Sequence, residues 1–530
     1  MLGMISVRWP HSVIRVTLAC ALPILSACTT LGPDYEAPEV RWLDDWQTSL
    51  YGQIEAPRQQ DASDDLRFWW RLFDDPVLNE LIASARQANP ELRIAGLRIL
   101  ESRAQLGIAG SALYPQLQQL GAATSYVYNR RRGGALPDKD EDFVSYQAGF
   151  SLAWELDFWG RFRRGVESAD AAFFASIANQ QDLQVLLSAQ VADLYFAYRT
   201  AELRIEIANE NAAIQRRSYE ITEQIYRSGE QSELDLQQAK TQYLSTLSTI
   251  PGLQISLIQT GNALATLLGR PPGQLPELTR RPGTLPRVEP LLIEGIPARL
   301  LMRRPDIRAA AWQVAAQSAQ IGIAEADFYP AISLLGSIGW SGNSLSDSPD
   351  VGTLAVGPGL NWNVFDYGRI ENNVRVQDAR LQQLIEQYQD TVLQAARETD
   401  DAAISVVKSA EQQQLLAASV RAARRSLELA NTRYREGYAD FQRVLDAQQA
   451  LFSQTERELI NQGNHVSAVV GLYKALGGGW LDTPVQQLIS EDTRNRLQQR
   501  TDWGALLSAP LPPGTSNPPP ASPPGKSPHE

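Results

Sequence analysis

Histidine is nearly missing: His11, His465 and His529 are the only three in 530 residues. Triad catalysis and histidine-built metal centres need imidazoles gathered in one place, so both are all but excluded. Cysteine is scarcer still. Cys20 and Cys28 are the only two, so residues 29–530 can form neither a disulfide nor a thiolate metal site. There is no GxSxG, HExxH or GxxxxGK[ST], and Gly357-Pro358-Gly359 lacks the third glycine of a dinucleotide loop. The neighbouring carboxylates Asp64-Asp65 and Asp400-Asp401 make no acid–base pair by adjacency alone. These absences argue against an enzyme, and no ATPase machinery is present. The net charge of −12 opposes nucleic-acid binding, which requires a basic field. No apolar run reaches the ~20 residues of a membrane-spanning helix, while 43% hydrophobic residues exclude wholesale disorder.

The N-terminus carries Arg8 and Arg15, an apolar run from Val16 to Leu25, and then Leu25-Ser26-Ala27-Cys28. A basic start, a short apolar core and small residues before a cleavage point make a secretory signal over 1–27. "LSAC" resembles the bacterial lipobox, whose cysteine becomes the lipidated first residue of the mature chain. By the same resemblance, Thr29 points to the outer membrane.

The chain repeats itself. "NPELRIAGLRIL" from Asn89 matches "RPDIRAAAWQVA" from Arg304, and Pro90 and Pro115 match Pro305 and Pro330 at offset 215. "LAWELDFWGR" ending at Arg161 matches "LNWNVFDYGR" ending at Arg369 at offset 208. That offset also carries Tyr226–Gly229 onto Tyr434–Gly437 and Leu268-Gly269 onto Leu476-Gly477. The seven-residue difference is expected in a surface loop. Residues 166–228 and 370–436 contain no Gly and no Pro, predicting helices of ~95 Å. Leu187, Val191, Leu194, Tyr198, Ala201, Ile205, Ala208 and Ala212 form a heptad seam. In the second half, Ala402, Val406, Leu416 and Val420 serve it, with Thr399, Ser409 and Gln413 interleaved. After Gly229 and Gly437 the chain is expected to turn back as helices over roughly 231–250 and 439–462, giving two antiparallel coiled hairpins.

Between proline and "GR" the period becomes two. Val144, Tyr146, Ala148, Phe150, Leu152, Trp154 and Leu156 alternate with small or polar residues, as do Leu354, Val356, Pro358, Leu360, Trp362 and Val364. Strands are expected at 143–158 and 354–366, each preceded by a weaker one at 116–128 and 331–340. An apolar face with aromatics fits a transmembrane barrel; a soluble sandwich is the plainer alternative. Topology decides between them: four strands cannot close a barrel, and lipid tolerates no open sheet edge. Two chains would give eight strands and a nearly filled interior, whereas three give twelve and a lumen.

The repeated halves, the Tyr-x-x-Gly turns, Leu445–Gln448 ("LDAQ") and "CTTLGPDYEAP" after the lipobox resemble the outer membrane factor family. These are TolC-like efflux ducts, here of the OprM/NodT lipoprotein branch. The resemblance covers about residues 28–480. It implies an α+β membrane protein in which three protomers, each giving four strands, form a 12-stranded β-barrel. A long α-helical coiled-coil periplasmic barrel and a mixed equatorial domain complete it. Combined with the repeat, it divides the chain into signal 1–27, a lipidated N-terminal segment 28–88, repeats 89–269 and 304–477, an equatorial linker 270–303, an equatorial part 478–504 and a Pro-rich tail 505–530. The tail holds nine of the 31 prolines and is expected to be disordered or polyproline-like.

The implied function is the passive outer-membrane channel of a tripartite efflux system, exporting drugs or other small molecules. The implied partners are two further copies, a periplasmic adaptor, an inner-membrane transporter of the proton-driven RND type, and outer-membrane lipid. No cofactor is implied beyond the lipid on Cys28. A type I protein-secretion duct and a structural trimeric coiled-coil lipoprotein are the alternatives; the latter leaves the repeated strand pairs unexplained.

By resemblance, Asp446 faces the closed periplasmic aperture, where a trimer would gather three carboxylates. Where TolC carries another aspartate three residues earlier, this chain has Arg443, so a ring locked by Arg443–Asp446 pairs is the expectation. Asp235, the first-half counterpart of position 443, is the third candidate. Without the resemblance, Asp446 reads as an ordinary solvated carboxylate. Gly229 and Gly437 read as left-handed helix caps, to which the family adds adaptor docking. Trp154, Trp159, Trp340 and Trp362 suit interfacial belts. His465 reads as structural, and Arg130, Arg131 and Arg132 as a solvated cluster in an external loop. Cys28→Ser is expected to abolish acylation and slow processing. Radiolabelled palmitate on the substituted protein would remove that assignment.

Overall fold

The computed structural model describes residues 30–43, 66–133, 139–229, 232–273, 275–279, 284–286, 288, 301–344 and 351–512. The signal, Cys28 and residues 513–530 lie outside the described residues. In chain order come α1 (Pro76–Ala88), α2 (Pro90–Ser111), β1 (Leu117–Arg131), β2 (Lys139–Glu155), α3 (Arg161–Arg227) and α4 (Glu233–Leu267). Then follow α5 (Pro305–Ala326), β3 (Ala331–Gly342), β4 (Val351–Asn361), α6 (Arg369–Arg435), α7 (Phe441–Ala475) and α8 (Glu491–Arg500).

The repeat persists in three dimensions. α3 and α6 each have 67 residues, α4 and α7 each 35, and α2 and α5 each 22. At 1.5 Å rise, each long helix extends about 100 Å. Both start after a left-handed glycine, Gly160 and Gly368. A nearby carboxylate caps each: Asp157 accepts from the Phe162 and Arg163 amides, and Asp366 from those of Gly368 and Ile370. The two aspartates exchange places with phenylalanine between the repeats, Asp157 matching Phe365 and Phe158 matching Asp366, so either position can supply the cap.

The heptad seam is the packing seam. Leu187, Val191, Ala201, Ala208 and Ala212 are buried, as are Val406, Leu416 and Val420. α3 packs against α2, α4, α5 and α7, and α6 against α5 and α7. The result is a layer four helices wide, α2–α3–α5–α6 at the sheet end and α4–α3–α7–α6 beyond. Residues 66–88, 275–279, 284–286, 288 and 480–507 pack on one side of it, as an outer collar. There Trp69, Phe73, Leu78 and Leu81 share a core with Tyr195, Phe196, Val466 and Val469.

The sheet has order β1-β2-β3-β4, antiparallel throughout. Its register sorts the faces. Leu120, Phe150, Ile338 and Leu354 lie in one cross-strand row, and Gln119, Ser151, Ser337 and Ala355 in the adjacent row on the other face. Gly121, Gly149, Gly339 and Thr353 continue the small-residue face. Among the described residues nothing covers the apolar side: Leu120 is 80% exposed and Leu354 75%. β1 and β4 are the edges of this four-stranded sheet.

Several boundaries differ from expectation. The longer first repeat gains its residues in the strands, 15 and 17 against 12 and 11, and not in a loop. The first hairpin therefore reaches further from the helices, at ~3.3 Å per residue. β4 ends at Asn361, short of the expected 366, leaving Trp362 and Val364 in the turn that prepares α6. Pro251, expected to end a helix near 250, sits inside α4. Ile250 and Leu253 beside it are buried in one cluster with Ala208, packing that offsets the ~3 kcal/mol cost of an internal proline. Residues 505–512, expected to belong to a disordered tail, are folded back onto α2. Leu507 is buried with Ile99, Leu100 and Phe173, and Arg103 donates to the carbonyls of Ala509 at 2.6 Å and Pro510 at 2.8 Å.

At the other end of the chain, residues 30–43 form an arm running along α5. Arg164, 3% exposed, donates to the carbonyls of Leu31 and Gly32 and pairs with Asp34 and Glu167. Gly32 passes so close to α5 that a Cβ on Gly322 would lie 2.4 Å from the Leu31 oxygen.

Opposite responses are expected on the two faces of the sheet. Leu354→Arg should cost about 2–4 kcal/mol if its face meets hydrocarbon. Ser337→Arg, on the small-residue face, should leave membrane insertion intact. Floatation of the two variants with vesicles measures the difference, and equal insertion would contradict the facing.

Candidate functional site

The helical layer has a concave side. A cavity of about 990 Å³ touches all four helices of its sheet end, with Gln105 from α2, Asn179 and Asp182 from α3, Gln317 and Gln320 from α5, and Gln377 from α6 on its wall. Amides, serines and charged groups share the wall with alanines and leucines. A wall so mixed exchanges hydrogen bonds with water along its length. The small-residue face of the sheet presents glycines, serines and glutamines in the same way.

Deeper in the wall lies a charged joint where α7 ends and α5 begins. Arg304 pairs with Asp306 at 2.7 Å and Glu398 at 3.0 Å, and donates to the Ala475 carbonyl at 2.8 Å. Burial, aided by Asp306 and Glu398 and opposed by Arg304 and Lys474, pushes the Asp182 carboxyl up to about 6. Asp193 accepts from the Ser467 hydroxyl at 2.8 Å and is likewise raised by burial, against that bond and Lys474.

At the far end, the hairpin turns are Gly229 (φ 79°) and Gly437 (φ 77°), both left-handed as a C-cap requires. A cluster of Ala239, Phe441, Val444 and Leu445 with Tyr219 and Tyr434 joins the two hairpins there. The three aperture candidates sit on α4 and α7 just beyond. Ser232 caps α4, its hydroxyl accepting from the Asp235 amide at 3.3 Å and donating to the Asp235 carboxylate at 2.8 Å. Asp446 accepts from Gln442 at 2.8 Å. Among the described residues Arg443 is not joined to Asp446; the carboxylate it approaches is Asp440, at 3.9 Å. Asp440 caps α7 three residues before Arg443, and that i,i+3 spacing was available in the sequence.

The remaining candidates take structural places. His465 bonds Ser409 at 2.8 Å and the Val288 carbonyl at 3.2 Å. Trp154, Trp159 and Trp362 donate to the carbonyls of Leu113, Pro330 and Phe328, all at helix-to-strand junctions. Trp340 lies toward the opposite end of β3, about 20 Å along the strand from the row of Trp154. Tryptophans therefore mark two levels of the sheet. Arg132 is paired with Asp140 at 2.6 Å across the β1–β2 hairpin.

Comparison with known proteins agrees with this geometry. The profile described as outer membrane efflux protein matches residues 81–270 and 296–478, one segment per repeat. The chain is 30% identical over 476 residues to the pyoverdine export outer membrane protein OpmQ of Pseudomonas putida, covering 88% of this chain and 98% of that protein. It is 31% identical over 471 residues to the cation efflux system protein CusC of Escherichia coli, covering 87% and 98%. The solved outer-membrane channel OprN matches with a TM-score of 0.75 at 32% identity, over 85% of this chain and 99% of that one. The chain belongs to the outer membrane efflux protein family and is an outer-membrane efflux channel.

Proposed function

We propose that three copies of this chain close one 12-stranded barrel and one 12-helix tunnel, the passive outer-membrane duct of a tripartite system exporting small molecules. The supporting observation is the sheet, whose four strands have one bare apolar face and two unpaired edges. Hydrocarbon would cover the face, and neighbouring copies would pair the edges. A lipid on Cys28 would add a second anchor, two residues before the arm that Arg164 holds. Relatives are named for pyoverdine, toluene and cations, a spread that a wall of mixed polarity would accommodate without a dedicated pocket. Energy and cargo choice would then come from an inner-membrane transporter of RND type, reached through a periplasmic adaptor docked at the Gly229 and Gly437 tips. A protein-secretion duct would share the wall but need an ATP-binding partner.

Asp446, with Arg443 and Asp235 near it, would rim the narrow periplasmic end. Three carboxylates at close range repel unless cations or a guanidinium compensate them. Arg443 is exposed and 3.9 Å from Asp440, so its reach to a neighbouring copy is open. Asp446→Ala and Arg443→Ala are each expected to raise single-channel conductance in planar bilayers. The double variant should gain less than the sum if the two act as one lock. Unchanged conductance in all three, with assembly intact, would move the gate away from these residues. No conductance from the assembled parent protein would overturn the duct itself.

A further inference from the structure

We propose that Asp182 and Asp193 are charge-selecting groups of the duct wall, one pair per chain and three in the assembled tunnel. They favour cations over anions in transit and lose that preference as the lumen acidifies. The inference rests on the duct reading above and concerns the middle of the tunnel, far from the hairpin tips.

Their facing follows from α3. Gln184, two residues after Asp182, exchanges hydrogen bonds with Leu481 of the outer segments, donating at 3.0 Å and accepting at 3.1 Å. Tyr195, two residues after Asp193, donates to Asp75 at 2.6 Å. Two residues turn a helix by about 200°, so each aspartate points away from the collar. Asp182 accordingly lines the concave cavity. The pair is 11 residues apart, about 16 Å along one face, an axial line of charge.

The local cations leave a negative surplus. The groups acting on Asp182 are Arg304 and Asp306 at the start of α5, Glu398 on α6 and Lys474 on α7; Arg98, Glu101 and Arg380 stand on the same cavity wall. Arg304 directs its donors to Asp306, Glu398 and the Ala475 carbonyl. Arg304 and Lys474 both oppose Asp182, and Lys474 also opposes Asp193; with Arg98 and Arg380 these four cations stand against five carboxylates, Asp182, Asp193, Asp306, Glu398 and Glu101. Near neutral pH the wall attracts cations; at pH 5, below the value of about 6 for Asp182, that carboxyl is mostly protonated.

The test is the reversal potential of the purified full-length protein in planar bilayers across a potassium chloride gradient. The K⁺/Cl⁻ permeability ratio should fall about twofold or more between pH 7.5 and pH 5.0. Asp182→Asn should lower the ratio at pH 7.5 and flatten its pH response, and Asp193→Asn should lower the ratio. Asp182→Cys gives a second readout, because residues 29–530 contain no native cysteine. A trimethylammonium thiol reagent should reduce the cation preference of this variant and a sulfonate reagent should raise it. Asp492→Cys, on the outer helix α8, should respond to neither. Channels that conduct normally but keep one ratio across pH, both Asn variants and both reagents would overturn the proposal alone. Absence of conductance in the assembled parent would overturn the duct reading, and this inference with it.

Discussion

A four-stranded sheet with large apolar side chains on one face, small polar ones on the other and unpaired backbone at both edges is stable neither alone in water nor alone in lipid. Water leaves Leu120, Ile338 and Leu354 bare, and lipid leaves the β1 and β4 edges without hydrogen-bond partners. Much of the architecture serves that sheet. The left-handed Gly160 and Gly368, with their aspartate caps, turn each hairpin directly into a long helix. Tryptophan–carbonyl bonds fix the junction, and the arm held by Arg164 braces it from outside.

Below the junction, the repeat supplies two coiled hairpins whose heptad seams bury mostly alanine and valine, and small seam residues let the helices approach closely enough to form a wall. The collar supplies what a thin helical layer cannot, a thick hydrophobic core around Trp69, Phe196 and Val469. It also sets the polarity of the layer. With the collar on one side, the glutamine-lined side is left to face the interior.

The duplicated plan, the period-two strands and the long helices were legible because each is a local pattern repeated over many residues. What escaped was set by contacts between distant segments. Pro251 reads as a stop, yet packing of Ile250 and Leu253 with Ala208 keeps α4 continuous. Pro510 and Pro512 read as tail, yet Arg103, some 400 residues earlier, holds the carbonyls of Ala509 and Pro510. No motif distinguishes Asp182 and Asp193 from other helical carboxylates; their burial depends on where α5 and α7 meet. The family pattern pairs Arg443 with Asp446, whereas in the fold it lies nearest its capping neighbour Asp440.

The central claim is that several copies complete one sheet, and stoichiometry tests it most directly. Native mass spectrometry of the protein extracted from outer membranes should find particles of three chains, each no heavier than the 58.6 kDa of the full sequence apart from bound lipid. Membrane-inserted monomers or dimers as the stable species would contradict the account, because four strands cannot close and eight would leave no lumen.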